Sequence, residues 1–267
     1  MNIPRLFIKY SKSHPRLVRQ RSDFVHFLSG GMAVKLFLHA QKITPNAKVK
    51  TTSDFDFVFA VPNKLTSTEM NAKFKSMDRL MSQHVNGFSA WLSRKYKIPS
   101  QITKSTLVPP VTYNPITKKK IYKVIQYKIE IPGMKPEGLV DATLTLVPGV
   151  QRDQLFHKYT AAFGMPIQRV KYLYKGVLSV LASSFSSFAM KNASLGSRNP
   201  LTGARAEKGI KDTARVANLI KAQTSATTAA KKLVKHIQAG NVEKAYKAAN
   251  RVIKNLNASK KSAYKVV

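Results

Sequence analysis

The chain predicts an α+β protein: a mixed sheet with flanking helices, followed by a helical C-terminal region. Three observations carry that expectation. Residues 54–59 read Asp-Phe-Asp-Phe-Val-Phe, acids and phenylalanines alternating with the period of a strand, and residues 139–146 alternate in the same way around Asp141. Elsewhere apolar residues recur three and four apart, as on one side of a helix. From residue 213 onward the chain is rich in Ala and Lys and holds two helical patterns split at Ala239-Gly240-Asn241.

Composition sets the bounds. With 267 residues, 43% of them hydrophobic, the chain can bury a real core in one domain plus an appendage. A net charge of +34 at a sequence pI of about 10.5 calls for an anionic neighbour: nucleic acid, an anionic membrane surface or an acidic partner. The charge is spread widely, because residues 191–267 hold 17 basic and three acidic side chains and residues 1–190 hold 29 and nine. The absence of cysteine excludes disulfides and thiolate metal sites. Residues 1–10 contain no apolar run of signal-peptide length, and the most apolar stretch, 177–190, holds five serines and is too short to span a bilayer. That stretch reads as a buried helix, and no secretion is implied.

Taken in order, residues 1–22 form a basic arm with Arg5, Lys9, Lys12, Arg16, Arg19 and Arg21, either solvated or gripping an anionic surface. Asp23 can cap a helix through Phe24, Val25 and Phe27. Gly30-Gly31 then makes a turn into a second helix, residues 32–40, with Ala33, Leu36, Phe37 and Ala40 on one side. Such a turn lets backbone N–H groups approach a phosphate, with the positive end of the helix dipole behind them. The next element is the strand of alternating acids. Asp54 and Asp56 share one face and Phe55, Phe57 and Phe59 the other, so the phenylalanines anchor the strand while the aspartates stand together as a divalent-metal site.

Thr66 with Glu69 three residues later is a capping signal, and the helix it starts carries Met70, Phe74, Met77, Leu80, Met81, Val85, Phe88 and Trp91 as core. Pro99, Pro109, Pro110 and Pro115 punctuate two strands, and Asn114-Pro115-Ile116-Thr117 marks an exposed hairpin tip followed by Lys118, Lys119 and Lys120, which are placed for phosphate contacts. Residues 124–131 alternate as a strand and include Glu130. In 139–146, Val140, Ala142, Leu144 and Leu146 face inward, leaving Asp141 with Thr143 and Thr145 on the other face.

Pro148-Gly149 closes this domain, spanning 23–150, and a helical extension of 151–190 follows. Residues 152–163 read as a helix stopped by Gly164-Met165-Pro166, and Pro166 opens another with Val170, Leu173, Tyr174, Val177, Leu178 and Leu181 on its apolar face. Lys171 and Lys175 share one flank of it, where an anion would relieve their repulsion. Residues 191–212 read as a linker or extended binding segment, and 213–267 as a basic helical hairpin.

A Gly-Gly turn at a helix start, followed by Asp-x-Asp on a strand, resembles the nucleotidyltransferase superfamily typified by polymerase beta and poly(A) polymerases. The resemblance spans roughly residues 20–150. Among its members the wording Thr-Ser-Asp-Phe-Asp-Phe and the later Arg198-Asn199-Pro200-Leu201-Thr202-Gly203 are similar to the nucleotidyltransferase-like and poly(A) polymerase-like proteins of large DNA viruses. That resemblance implies a third carboxylate on a neighbouring strand, for which Asp141 is the better choice and Glu130 the substitute. It implies a two-metal Mg²⁺ site in which Asp54 and Asp56 hold the ions and Asp141 completes the site that activates the attacking hydroxyl. Ser29, Gly30 and Gly31 would hold the triphosphate of ATP or another NTP, and Lys171 and Lys175 would help hold nucleotide or primer.

The function expected on these grounds is metal-dependent addition of nucleotides to a nucleic-acid 3′ end. The rival expectation is a basic structural protein, a minor capsid or core component of a large DNA virus particle among other virion proteins, using the same fold as scaffold. Transfer to a small molecule or protein is a third reading, and the positive charge disfavours a cationic substrate for it.

Overall fold

The structure is a computed structural model that describes residues 1–20, 24–43, 54–61, 65–107, 112–113, 120–146, 155–185, 206–222 and 226–263. Its elements run α1 (Ile3–Ser13), β1 (Val25–Ser29), α2 (Gly30–Ala40), β2 (Phe55–Val61), α3 (Ser67–Tyr96), β3 (Gln101–Leu107), β4 (Thr112–Tyr113), β5 (Lys120–Glu130), β6 (Glu137–Leu146), α4 (His157–Phe163), α5 (Val170–Ser184), α6 (Ala206–Ala222), α7 (Thr228–Gln238) and α8 (Val242–Ala263). This is the expected α+β class, a mixed sheet with flanking helices and a helical C-terminal region. The chain divides into two compact units, one of residues 1–37 with 52–169 and one of residues 38–51 with 170–267.

The sheet occupies the first unit in the order β1-β2-β6-β5-β3, with β4 paired to β5. β2 and β6 are parallel and every other pair is antiparallel. Phe55, Phe57 and Phe59 are fully buried, as the alternation predicts, and Val140, Ala142 and Leu144 continue their face on β6. Each buried phenylalanine stabilises the fold by about 1.5–3 kcal/mol relative to exposure, so this face supplies much of the unit's stability. α3 packs against it with buried Met77, Leu80, Met81, Val85 and Phe88. The Thr66 capping box is present: Thr66 Oγ1 accepts the Glu69 N–H and the Glu69 carboxylate accepts the Thr66 N–H.

Several expectations are corrected. Most of the N-terminal segment is no free arm: α1 buries Ile3, Phe7, Tyr10 and Ser11 on one side while Arg5, Lys9 and Lys12 stay exposed. Phe7 sits 4.7 Å from Phe55 and 5.1 Å from Phe88, ring to ring, so α1 is part of the core. The basic residues that suggested an arm occupy the outer side of an amphipathic helix.

Residues 25–29 form a strand rather than the helix expected after Asp23, because Val25, Phe27 and Ser29 pair across β2 with Ala60, Val58 and Asp56. Asp23 lies outside the described residues. α5 begins at Val170 instead of Pro166. Ile167 bridges Leu28, with the Leu28 N–H donating to the Pro166 carbonyl and the Gln168 N–H to the Leu28 carbonyl, which covers the edge of β1. α4 starts at His157 rather than at residue 152, and it stops at Gly164 as expected, where a φ of +66° suits glycine.

The second unit is helical. Part of the expected linker is α6, in which Asp212 is buried and paired with Arg215 at 2.7 Å; residues 191–205 lie outside the described residues. The first C-terminal pattern resolves into α6 and α7, so the basic region contains α6, α7 and α8 rather than a hairpin alone. Buried Leu233, Val234 and Ile237 of α7 meet Ala245, Ala249 and Val252 of α8, whose small residues let the two helices approach closely. No helix among the described residues is long and apolar enough to cross a membrane.

Candidate metal centre

On the second face of the sheet, near β1, Phe27, Ala60 and Leu155 cluster with Val25 and Val58. Farther along that face stand the carboxylates. Asp56 on β2 is the direct register partner of Asp141 on β6. Asp54 precedes β2 by one residue, two positions from Asp56. One carboxylate oxygen from each of Asp54, Asp56 and Asp141 lies within 4.8 Å of the other two, and all three residues are half-buried. The parallel pairing of β2 with β6 thus joins acids 85 positions apart in sequence into one site.

Electrostatics make this arrangement costly without a counter-ion. Partial burial pushes the Asp141 carboxyl above its ordinary range, the Gln126 hydrogen bond opposes that shift, and the Asp54 charge reinforces it. Gln126 is the β5 register partner of Asp141 and donates from Nε2 to Asp141 Oδ2 at 3.4 Å, a long contact. Asp78 on α3 shows the contrast. Burial would raise it as well, yet it accepts hydrogen bonds from Lys104 Nζ at 2.9 Å, the Tyr127 hydroxyl at 2.9 Å and the Ser82 hydroxyl at 2.9 Å, and these hold it below its usual range. Asp78 is satisfied by the fold, tying α3 to the sheet. The triad instead gathers like charges, and the Gln126 bond to Asp141 is a long one.

Gly30 stands against the site. Its φ is +66°, and a Cβ placed there would land on Asp56 Oδ2 and lie 2.9 Å from Asp56 Cγ. Glycine is therefore required twice, for its backbone conformation and for the close approach of the Asp56 carboxylate. Gly31 is buried in the first turn of α2. Ser29 is the β1 register partner of Asp56, and its hydroxyl donates to Gln168 Oε1 at 3.1 Å. The N-terminus of α2, with its positive dipole end and no acidic residue in the first turn, thus begins beside the acids.

Of the expected site residues, the structure brings together Asp54, Asp56, Asp141, Ser29, Gly30 and Gly31. Glu130 is apart from them, at the far end of β5, where it accepts a hydrogen bond from Thr103 at 2.9 Å. Lys118 and Lys119 lie outside the described residues, and Lys120 is described only as the first backbone position of β5. Lys171 and Lys175 are exposed on α5 in the second unit, and Lys175 is held below its ordinary value by partial desolvation and then by Lys171. Gln126 and Gln168 were not expected. Uncharged amides carry no sequence signal of their own, and only strand register places them beside the acids.

No family model matches the chain, and no curated protein does. Among solved structures the chain is similar to JHP933 from Helicobacter pylori, with 12% identity over 98% of this chain and 94% of that chain at a TM-score of 0.31. A likeness of that depth fixes neither fold nor function.

Proposed function

We propose that this protein is a metal-dependent nucleotidyltransferase that adds nucleotides to a nucleic-acid 3′ end. The observation that supports the reading is the convergence of Asp54, Asp56 and Asp141 beside the glycine-started helix α2. Three carboxylate oxygens are hard donors of the kind Mg²⁺ takes, with phosphate and water oxygens completing its shell. Oxygens bound to one Mg²⁺ lie within about 4.2 Å of each other, twice the metal–oxygen distance. The observed limit of 4.8 Å is therefore closed by a small side-chain adjustment. When bound there, Mg²⁺ supplies Lewis-acid stabilisation of triphosphate charge and a lowered pKa for the attacking hydroxyl.

The chain's own residues do the rest. Asp56 and Asp141 are held at a fixed separation by their shared register, and Gln126 orients the Asp141 carboxylate. Gln168 fixes the Ser29 hydroxyl, and Ser29, Gly30 and Gly31 present the start of α2 to a triphosphate. The basic surface attracts the polymer, with affinity falling steeply as salt rises.

The test is extension of an RNA or DNA primer with Mg²⁺ and each NTP. Wild type is expected to extend it, and Asp54→Ala or Asp56→Ala to lose roughly 10³-fold or more, the scale of removing one preorganised electrostatic group. Absence of extension by wild type, or unchanged extension by Asp54→Ala, overturns the reading.

The spread of positive charge over the whole sequence favours one second reading, a basic structural component of a large virus particle. That reading expects polyanion binding to persist in Asp54→Ala and no nucleotide turnover in wild type.

A further inference from the structure

The second unit carries a concavity that the carboxylate site does not use. α7 and α8 pack through Leu233, Val234 and Ile237 against Ala245, Ala249 and Val252, and beside that seam lies an open groove of about 290 Å³. Ala229 and Ala248 lie along it with Thr228, and Lys232, His236, Lys244, Lys247 and Arg251 stand around it. Lys232 and His236 are four apart on α7, while Lys244, Lys247 and Arg251 follow one another at helical spacing on α8, so each helix turns one basic stripe toward the same space. The first turn of α7 contributes too. Thr227 caps that helix by accepting the Ala230 N–H, which leaves the positive dipole end at Thr228 and Ala229 on the groove wall.

Packing does not require these charges. The buried stripe already holds the helices together, and Lys232, Lys244, Lys247 and Arg251 are all exposed. Between residues 228 and 254 there are seven lysines and arginines and a single acid, Glu243, which pairs with Lys247 at 2.6 Å. Among the described residues Lys232 and Arg251 form no ion pair, and Lys244 meets acid only through the charge of its neighbour Glu243. Solubility would be served as well by scattered cations. Convergence on one concavity raises repulsion that an anion relieves. The groove lies at the lower limit of small-molecule sites, which run from about 300 to about 1,000 Å³, and it is open, so it suits a run of phosphates passing through rather than an enclosed ligand.

We propose that the α7–α8 groove binds the phosphate backbone of nucleic acid, without base preference, through Lys232, Lys244, Lys247 and Arg251. The inference shares with the proposed function only its polyanionic partner, and it stands whether or not the aspartates catalyse. Lysine and arginine that neutralise phosphates release counter-ions, so each contact contributes to the salt slope of binding as well as to affinity.

The experiment measures binding of full-length protein to fluorescent single-stranded oligo(U) and oligo(A) in EDTA across a salt series. EDTA, together with Asp56→Ala as a second background, separates this groove from the carboxylate site: failure of binding and failure of nucleotide transfer are then read independently. The variant Lys232→Gln/Lys244→Gln/Arg251→Gln is expected to weaken both oligonucleotides alike by at least about tenfold and to reduce the log–log salt slope by about two. Lys232→Arg/Lys244→Arg is expected to bind as wild type, which guards against a folding defect in the triple variant. A control that removes the same charge at exposed positions of the first unit, Lys75→Gln/Lys128→Gln/Lys135→Gln, is expected to change binding by less than about threefold. The proposal is overturned if the groove variant binds RNA as wild type does or if the control loses as much. It is also overturned if the groove variant loses only retention by phosphatidylserine vesicles, which would make the partner a membrane surface.

Discussion

The two faces of the central sheet are made by the same strands and obey opposite rules. On one, Phe55 meets Phe7, which packs against Phe88 of α3, and Phe57 and Phe59 are fully buried. Even His84 there is kept neutral: it hydrogen-bonds Ser11 at 3.0 Å, and its pKa is lowered to about 3, first by burial and then by Arg16 and His14. On the other face, three carboxylates are half-buried together and a glycine is held in a left-handed conformation to make room for one of them. The first face is built for stability. The second departs from what stability would choose, which is the pattern expected of a working site.

That contrast breaks if substitutions on the two faces have similar consequences. The largest effect is expected for Phe57→Ala, a loss of about 3–5 kcal/mol in urea or thermal unfolding, since the fully buried ring leaves a cavity behind.

Next comes the pH dependence set by His84. The unfolded histidine protonates near its ordinary value while the folded one does so only at about 3, so the unfolded state binds the extra proton between those limits. Stability falls as pH falls, by about 1.4 kcal/mol per unit through that window. Urea titrations from about pH 6 to about pH 4 should show this slope in wild type and a shallower one in His84→Gln.

Gly30→Ala is expected to cost about 1–3 kcal/mol from its φ alone, and to disturb Asp56 as well, visible as a lowered midpoint with impaired nucleotide transfer. The smallest change is on the acidic face itself. Asp141→Asn removes a like charge without altering volume, so metal-free stability should stay the same or rise by up to about 1 kcal/mol. A loss as large as that of Phe57→Ala would erase the distinction between the faces.

Much of this was legible in the sequence, and the gaps have physical causes. The alternation around Asp54 and Asp56 identified β2 and both of its faces, because a period of two leaves little freedom in which side chain goes where. The Thr66–Glu69 capping box located the start of α3, since both partners are local. α1 was obscured by its charge. Ile3, Phe7 and Tyr10 have helical spacing, but the intervening Arg5, Lys9 and Lys12 draw attention to a solvated arm.

β1 was misread as a helix because His26, Phe27 and Leu28 are all buried, and a run buried on both sides shows no alternation to distinguish strand from helix. Gln126 and Gln168 could not be found at all. Their places beside Asp141 and Ser29 depend on pairing across the sheet and along its edge, and register is a property of the folded chain.

The central claim is that the acidic face is a divalent-metal and nucleotide site. Calorimetric titration of NTP into wild type and Asp56→Ala, each with and without Mg²⁺, tests it most directly. Wild type should bind NTP only when Mg²⁺ is present, and Asp56→Ala should lose that binding while keeping wild-type circular dichroism. NTP binding that ignores both Mg²⁺ and the substitution, or no binding by wild type at all, would contradict it.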